Sequence, residues 1–444
     1  MPSIFAPLDA EGLTTLKMQY NWRDDTFKFY AAKEWDEDLD FSRYNRDFYD
    51  ESLLTERGVY YNTQQVYSLF ERHQLLGYLS EIKDLLRAGK HFGIDCYYLK
   101  KHNVRYMMHI HSRLPGINNK RYAALSGGLR RRELADPEID VIIDGLNLGR
   151  AMSFKQMAVQ LPFGGCKGTV HMDALDLGNM EVLGFLAYAV DRSRGIVGRD
   201  MNFPVEMPDA VNERFSLQFV GGPGAGLGES GFPTAYGVYL ALREGVLFNE
   251  GKDSLAGMGA VVQGIGTVGW HLAELLLQDG VRLYLSDVSQ EKLDEFLASH
   301  PKAEVSVIPA GDVLSFPADI FSPCAVGGII HEEHIADMRY RYIFGSANNQ
   351  LRASSEEEEI RLAKLLAAKD IVFQPEWAHN TGGIMFNVEF YIEGRNTSME
   401  GLKRKIADVI PKNTRENFVE ARRLGITPAE YIYAKCRKLA YGDF

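Results

Sequence analysis

The sequence is short of the residues that mark several common classes of protein. Only four cysteines occur in 444 residues, at Cys96, Cys166, Cys324 and Cys436. They are scattered and form no CxxC pair, which excludes a disulfide framework and a zinc knuckle and suits a reducing cytoplasm. No apolar run is long enough to span a bilayer. The N-terminus, MPSIFAPLDAEG, has no basic start followed by an apolar stretch, so a cytoplasmic protein without a secretory leader is expected. Positive charge is also in deficit. With 49 basic against 60 acidic residues, the net charge of −11 argues against a general nucleic-acid binder or a basic membrane-surface protein. Glycine is scarce over residues 1–85, where aromatic and charged residues dominate and no chemical motif or repeat is found. That part reads as a folded N-terminal extension or an assembly surface.

What is present allows a large core. Hydrophobic residues make up 45% of the chain, and the length predicts two or three domains. The most informative stretch runs AMSFKQMAVQLPFGGCKGTV from Ala151. It sets Lys155, in a segment that reads as helical, and Lys167 on either side of an expected Pro-Phe-Gly-Gly-Cys turn. Gly164 and Gly165 have no side chains to keep a ligand from the backbone. A lysine that is partly desolvated near a second cation loses its proton near neutral pH. Upstream, Val104–His111 reads as a strand with His109 and His111 on one face. Two histidines without a third ligand nearby read as structural, and no metal is expected. SGGLRRRE follows, in which Gly127 and Gly128 permit a close backbone approach and the three arginines read as a solvated charge run. Ile139–Lys155 and Gly178–Arg192 read as helices. Asp200 follows a short Ile196–Val197 strand and a glycine, placed to project into a cleft. Gly221–Pro233 is glycine-dense with no strand expected before it, and reads as a hinge and domain boundary.

The strongest local pattern begins at Gly259–Gln263, an apolar strand. Gly264-x-Gly266-x-x-Gly269 then opens a helix over Val268–Gln278, and a second strand, Arg282–Ser286, ends at Asp287. The glycines permit the tight turn, the approach of a pyrophosphate and helix–strand packing, while N–H groups at Thr267 and Val268 open the helix towards the phosphates. Strand, turn, helix, strand and acid together make a dinucleotide site. Asp287 accepts ribose hydroxyls and repels a 2′-phosphate, so NAD is expected rather than NADP. Strand and helix alternate from there, with strands at Ala318–Phe321, Arg341–Phe344 and Ile371–Phe373, as in a doubly wound sheet. HEEH at His331–His334 lacks the spacing of HExxH and is set aside. Glu356–Glu359 behind Ser354-Ser355 reads as a capped helix start. From Met399 to the end the pattern is helical, with breaks near Pro411 and Gly425.

SGGLR, MSFKQ, LPFGGCKG, GRDM, PTAYGVY, GIGTVG, DIFSPCAVGGII, GSANNQL and NTGGI occur in that order from about Val104 onward. In these stretches the chain resembles the glutamate/leucine/phenylalanine/valine dehydrogenase family, and the leucine and phenylalanine branch more than glutamate dehydrogenase. The resemblance implies an α/β fold. A Rossmann-type NAD domain over 233–379 would pair with an α/β substrate-binding and oligomerisation domain over 86–232, joined by helices from 380–444, with catalysis in the cleft between. It implies a homo-oligomer, and oxidative deamination of an L-amino acid to a 2-oxo acid and ammonia, or the reverse. It makes Lys167 the lysine that polarises the carbonyl and activates water, Lys155 the ligand of the α-carboxylate and Asp200 the proton shuttle. Thr234 would contact the nicotinamide amide, and Asn348 or Asn349 the nicotinamide ribose. Gly127 and Gly128 fall in the substrate pocket. Ser126, before them, takes the place of a lysine found in glutamate dehydrogenases, so glutamate is not the expected substrate. Asn387 is the second side-chain pocket position, and together they imply a polar or larger substrate side chain.

The chain departs from the family pattern at Cys166, where a glycine is usual, at Arg199 before Asp200, and at Asn202-Phe203. An alternative reading is a catalytically weak NAD-binding paralogue that regulates or scaffolds; a binder of that kind has no need of Lys155, Lys167 and Asp200 together. A hydroxy-acid dehydrogenase would use a histidine–carboxylate pair, and none lies beside the lysines.

Overall fold

The computed structural model describes residues 2–45, 58–113, 124–216, 218–225, 230–353 and 355–442. Backbone packing divides the chain into two units. The first comprises Met1–Gln156, Leu161–Gly228 and Asn387–Asn396; the second comprises Met157–Gln160, Glu229–Phe386 and Thr397–Phe444. Of the C-terminal helical region, only Asn387–Asn396 therefore packs in the first unit.

The first unit is built on nine strands: β1 (Thr15–Asn21), β2 (Thr26–Ala32), β3 (Tyr60–Tyr61), β4 (Gly93–Leu99), β5 (Val104–Ile110), β6 (Leu125–Arg132), β7 (Gly164–His171), β8 (Gly195–Arg199) and β9 (Phe219–Val220). Their order is β3-β2-β1-β4-β5-β7-β6-β8-β9. From β3 to β7 each neighbour is antiparallel, whereas β7, β6, β8 and β9 run parallel. Parallel neighbours need crossovers, and helices Glu138–Ala158, Met180–Ser193 and Met207–Arg214 supply them. Residues 2–45 and 58–85 belong to this unit and extend its sheet through the β1–β2 hairpin and β3.

Strands covered on both faces lose the alternation that marks a half-buried strand. All eight residues of β7 are buried, and so are all seven of β4. One face packs on Leu183, Phe185, Leu186 and Val190 of the Met180–Ser193 helix. The other packs on the N-terminal helices and on Val141, Ile142 and Leu146. This corrects two expectations. Gly164–Lys167 is strand rather than turn, and SGGLRRR is a strand that composition concealed. A third correction is β9, a two-residue strand directly before the glycine-dense segment, of which 226–229 lie outside the described residues.

The second unit holds six strands, all parallel: β10 (Gly259–Gln263), β11 (Arg282–Ser286), β12 (Val305–Val307), β13 (Ile320–Pro323), β14 (Tyr342–Ile343) and β15 (Val372–Phe373). Their order, β12-β11-β10-β13-β14-β15, reverses direction between β10 and β13, where doubly wound sheets bind ligands. The expected break at Pro411 does not occur: helix Met399–Leu424 runs through it and ends at Gly425, which takes a left-handed conformation. Proline removes a single backbone bond there. The buried side chains Leu402, Ile406, Ile410, Phe418 and Ala421 on either side, packed along helix Gly231–Glu250, hold the helix continuous.

Candidate active site

In the first unit, sheet register does what sequence spacing cannot. His109, Lys167, Gly128 and Gly198 lie side by side across β5, β7, β6 and β8. Residues in one such row point to the same face. A Cβ added at Gly128 would stand 2.8 Å from Lys167 Nζ and 3.5 Å from Asp200 Cβ. The lysine therefore lies across the space that the missing side chain leaves. A Cβ at Gly198 would meet Asn387 Nδ2 at 2.8 Å, which brings Asn387 to the same row. Ser126 lies two residues before Gly128 and shares its face; its hydroxyl is buried with no hydrogen-bond partner among the described residues. Gly127 points the other way, where a Cβ would stand 1.9 Å from Cys166 O. Burial pushes the Cys166 thiol up to about 12, so it is an inert packing group.

Helix Glu138–Ala158 is pressed onto β5 and β7 through glycines. A Cβ at Gly145 would fall 2.3 Å from the His109 ring, and one at Gly165 2.0 Å from Ser153 N. Ser153 Oγ accepts the Gly165 N–H at 3.1 Å. Lys155, half-buried, follows two residues later on this helix. His109 Nδ1 donates to the Lys167 carbonyl at 3.0 Å, which sets its neutral tautomer, and burial holds it at about 4.

Two cations converge on Asp200, directly after β8. Lys167 Nζ donates to Asp200 Oδ2, and Arg130 Nε donates to the same oxygen at 2.9 Å. Arg130 Nη1 reaches Asp144 Oδ2 at 2.8 Å. Burial pulls the Lys167 ammonium below its ordinary range; Asp200 opposes that and the Arg130 cation adds to it. Burial would raise Asp200, but Lys167 and Arg130 outweigh it and hold the carboxyl below its ordinary value. The second cation beside the lysine is thus Arg130. Nor are the arginines solvated: Arg131 donates to Asn202 O at 2.9 Å and Arg132 to Asp136 Oδ2 at 2.9 Å. Arg130 shares a face with Gly128, two residues away on β6, a relation that exists only once the segment is a strand.

In the second unit, Gly264 takes φ +94° after β10, and a Cβ at Gly269 would stand 1.9 Å from Gly264 O. Gly266 begins helix Thr267–Gln278 with no side-chain cap and open space beside it. The free N–H groups of Thr267 and Val268 and that open side fit the pyrophosphate of a dinucleotide. A cavity of about 300 Å³ borders Gly266, Thr267, Trp270, His271 and Lys292. Asp287 holds the turn in shape, its carboxylate accepting Ile265 N–H at 2.6 Å and Ser289 N–H at 2.8 Å.

Thr234 packs against Gly382 and Gly383, where added Cβ atoms would fall within 3 Å of Pro233 O and Thr234 Oγ1. Asn348 follows β14, and Asn380 Nδ2 donates to its side-chain oxygen at 3.2 Å. Asn349 sits at φ 53°, its N–H on Glu376 Oε1 at 2.7 Å. Asn380, the first residue of NTGGI, was given no role of its own from sequence, and nothing local marks Glu376. Among the described residues, no group of three or more His, Cys, Asp or Glu is placed to hold a metal ion, and no helix is long and apolar enough to cross a membrane.

The family described as "Glu/Leu/Phe/Val dehydrogenase, dimerisation domain" matches residues 116–212. A phenylalanine dehydrogenase of Lysinibacillus sphaericus is 31% identical over 311 residues, covering 68% of this chain and 78% of that one. A leucine dehydrogenase of Thermoactinomyces intermedius is 33% identical over 293 residues, covering 64% and 76%. The fold is similar to that of an L-tryptophan dehydrogenase from Nostoc punctiforme, with a TM-score of 0.65 at 24% identity over 80% of this chain and 97% of that one.

Proposed function

The chain belongs to the Glu/Leu/Phe/Val dehydrogenase family, and from that premise we propose that it oxidatively deaminates an L-amino acid other than glutamate with NAD, or runs the reverse reductive amination. Substrate binding falls to the unit that carries Lys167, and dinucleotide binding to the unit that carries Gly264. The dimerisation-domain match supports a homo-oligomer. The observation that carries the reading is the Lys167–Asp200 pair laid over Gly128.

Gly264, Gly266, Thr267, Val268 and Gly269 would hold the pyrophosphate and Asp287 the adenosine ribose, with Thr234 and Asn348 or Asn349 at the nicotinamide end. Bound NAD supplies an acceptor for the hydride that leaves Cα. The remaining work belongs to the chain. Lys155 holds the α-carboxylate, and Asp200 removes a proton from the substrate ammonium so that the nitrogen lone pair can form the C=N bond. Lys167, its pKa lowered by burial, takes a proton from the water that adds to that carbon. Asp200 then returns a proton to nitrogen, and as the C–N bond breaks the hydroxyl proton passes to the leaving nitrogen, so that the 2-oxo acid and ammonium form and Lys167 later gives its proton to solvent. In reverse, the Lys167 ammonium stabilises the oxyanion that forms when ammonia adds to the 2-oxo acid. The unpaired Ser126 hydroxyl and the amide of Asn387 support a substrate side chain that is polar or larger than leucine's. A buried hydroxyl left alone costs about 1–3 kcal/mol, which a hydrogen-bonding ligand recovers.

NADH formation by purified protein across a panel of L-amino acids tests this. Turnover with a polar or large substrate and none with glutamate is expected. Failure of every amino acid, or a clear preference for leucine or glutamate, overturns the reading or its specificity.

A further inference from the structure

We propose that Arg130, braced by Asp144, is a positioning residue that divides the work of Asp200 between its two oxygens. The inference rests on the catalytic reading of Lys167 and Asp200. Among the described residues, each side-chain contact to the Asp200 carboxylate falls on Oδ2, which takes both Lys167 Nζ and Arg130 Nε. Oδ1 is left for the substrate nitrogen, and the side chain is 27% exposed. A carboxylate facing a lone lysine turns freely about its last bond and can give that lysine either oxygen. A second donor fixed at 2.9 Å on Oδ2 stops the rotation.

Arg130 is itself fixed. Its Nη1 donates to Asp144 Oδ2, which also receives Arg132 Nη1 at 3.5 Å, and Arg132 Nε is held by Asp136. Positive and negative groups thus alternate from Lys167 through Asp200, Arg130, Asp144 and Arg132 to Asp136. The groups brought to Lys167 are Asp200 from the end of β8, Arg130 from β6 and Asp144 from helix Glu138–Ala158, which also carries Lys155. From β5 comes His109, buried and neutral, and Gly198 of β8 brings the uncharged Asn387.

The arrangement has a signature that a merely structural ion pair lacks. Arg130 has the charge of the lysine and Asp144 the opposite charge, so their removal moves Lys167 in opposite directions. Deamination requires neutral Lys167, and its rate rises with pH as that amine loses its proton. For Arg130→Gln the rise shifts to higher pH, with kcat lower by about 10- to 100-fold and KM little changed. Arg130→Lys restores the position of the rise but only part of kcat, because it lacks the second arm of the fork. Asp144→Asn shifts the rise to lower pH with a smaller loss of kcat.

The experiment measures these pH profiles, with NADH binding as the check of folding. Amine-reactive labelling of Lys167 against pH, read by peptide mass spectrometry, reports the same order of shifts without turnover. If no amino acid is turned over, the catalytic reading fails while the labelling still tests the charge arrangement. Profiles or labelling curves that move the same way in Arg130→Gln and Asp144→Asn, or an unchanged kcat in Arg130→Gln, would overturn the proposal.

Discussion

The glycine turn after β10 and the glycine row across β6 and β8 use the same residue for different ends. In the turn, Gly264 and Gly269 let one continuous piece of chain fold back on itself, and the contacts that forbid a side chain at Gly269 come from five residues away. In the row, Gly128 clears space for Lys167 and Asp200, which are 39 and 72 positions distant in sequence but adjacent in the sheet. A local device survives in any fold that forms the helix. The row exists only once three parallel strands have paired in register, and a slip of one residue would turn Lys167 to the opposite face.

That contrast can be broken at several points. Asp200→Ala should lower kcat by about 10²- to 10⁴-fold while NADH binding, measured by fluorescence titration, stays as it was. Next is acid. His109 is neutral and buried, with its pKa lowered from 6.5 to about 4. The unfolded chain takes up a proton below pH 6.5 that the folded chain refuses. Stability is therefore held above that pH and falls as pH drops towards 4, by about 3 kcal/mol from this group. Denaturant melts across that range report it, and a flat profile contradicts the burial of His109. The glycine turn contains no such group.

Gly128→Ala should act on chemistry more than on fold. Its methyl group meets the lysine ammonium at 2.8 Å, and the displacement should lower kcat by roughly tenfold or more with little change in melting temperature. A variant that melts much earlier yet keeps its kcat would mean that the gap serves packing alone. Asp287→Ser should have the smallest effect, narrowing the preference for NAD over NADP by about tenfold. Because Asp287 also accepts the Ile265 N–H, some loss of NAD affinity accompanies it. An unchanged preference would show that another residue excludes the 2′-phosphate.

The same contrast explains what the sequence made legible. The strands Gly259–Gln263 and Arg282–Ser286 were read to the residue, because an apolar run, three glycines and an acid are consecutive. Lys167 and Asp200 were named through motifs and lie together in the structure, but Arg130, which shares Asp200 Oδ2 with the lysine, was not named. Arg130 was taken for a solvated charge because SGGLRRR has neither the apolar alternation nor the β-branched content of a strand. Its backbone is extended because β7 and β8 pair with it on both sides, information carried by residues far away. Pro411 was read as a break by its local rule, and the packing on both sides of it prevailed. The β1–β2 hairpin was missed for another reason: it adds strands to a sheet whose other members had not been recognised as neighbours.

The account stands on one residue in one row. Lys167→Ala, compared with the unaltered protein in NADH formation from its best L-amino acid and in NADH binding, tests it most directly. Loss of turnover by about 10³-fold or more with binding intact is the expected result. Turnover that survives the substitution would contradict it, and would move the chemistry away from the lysine laid over Gly128.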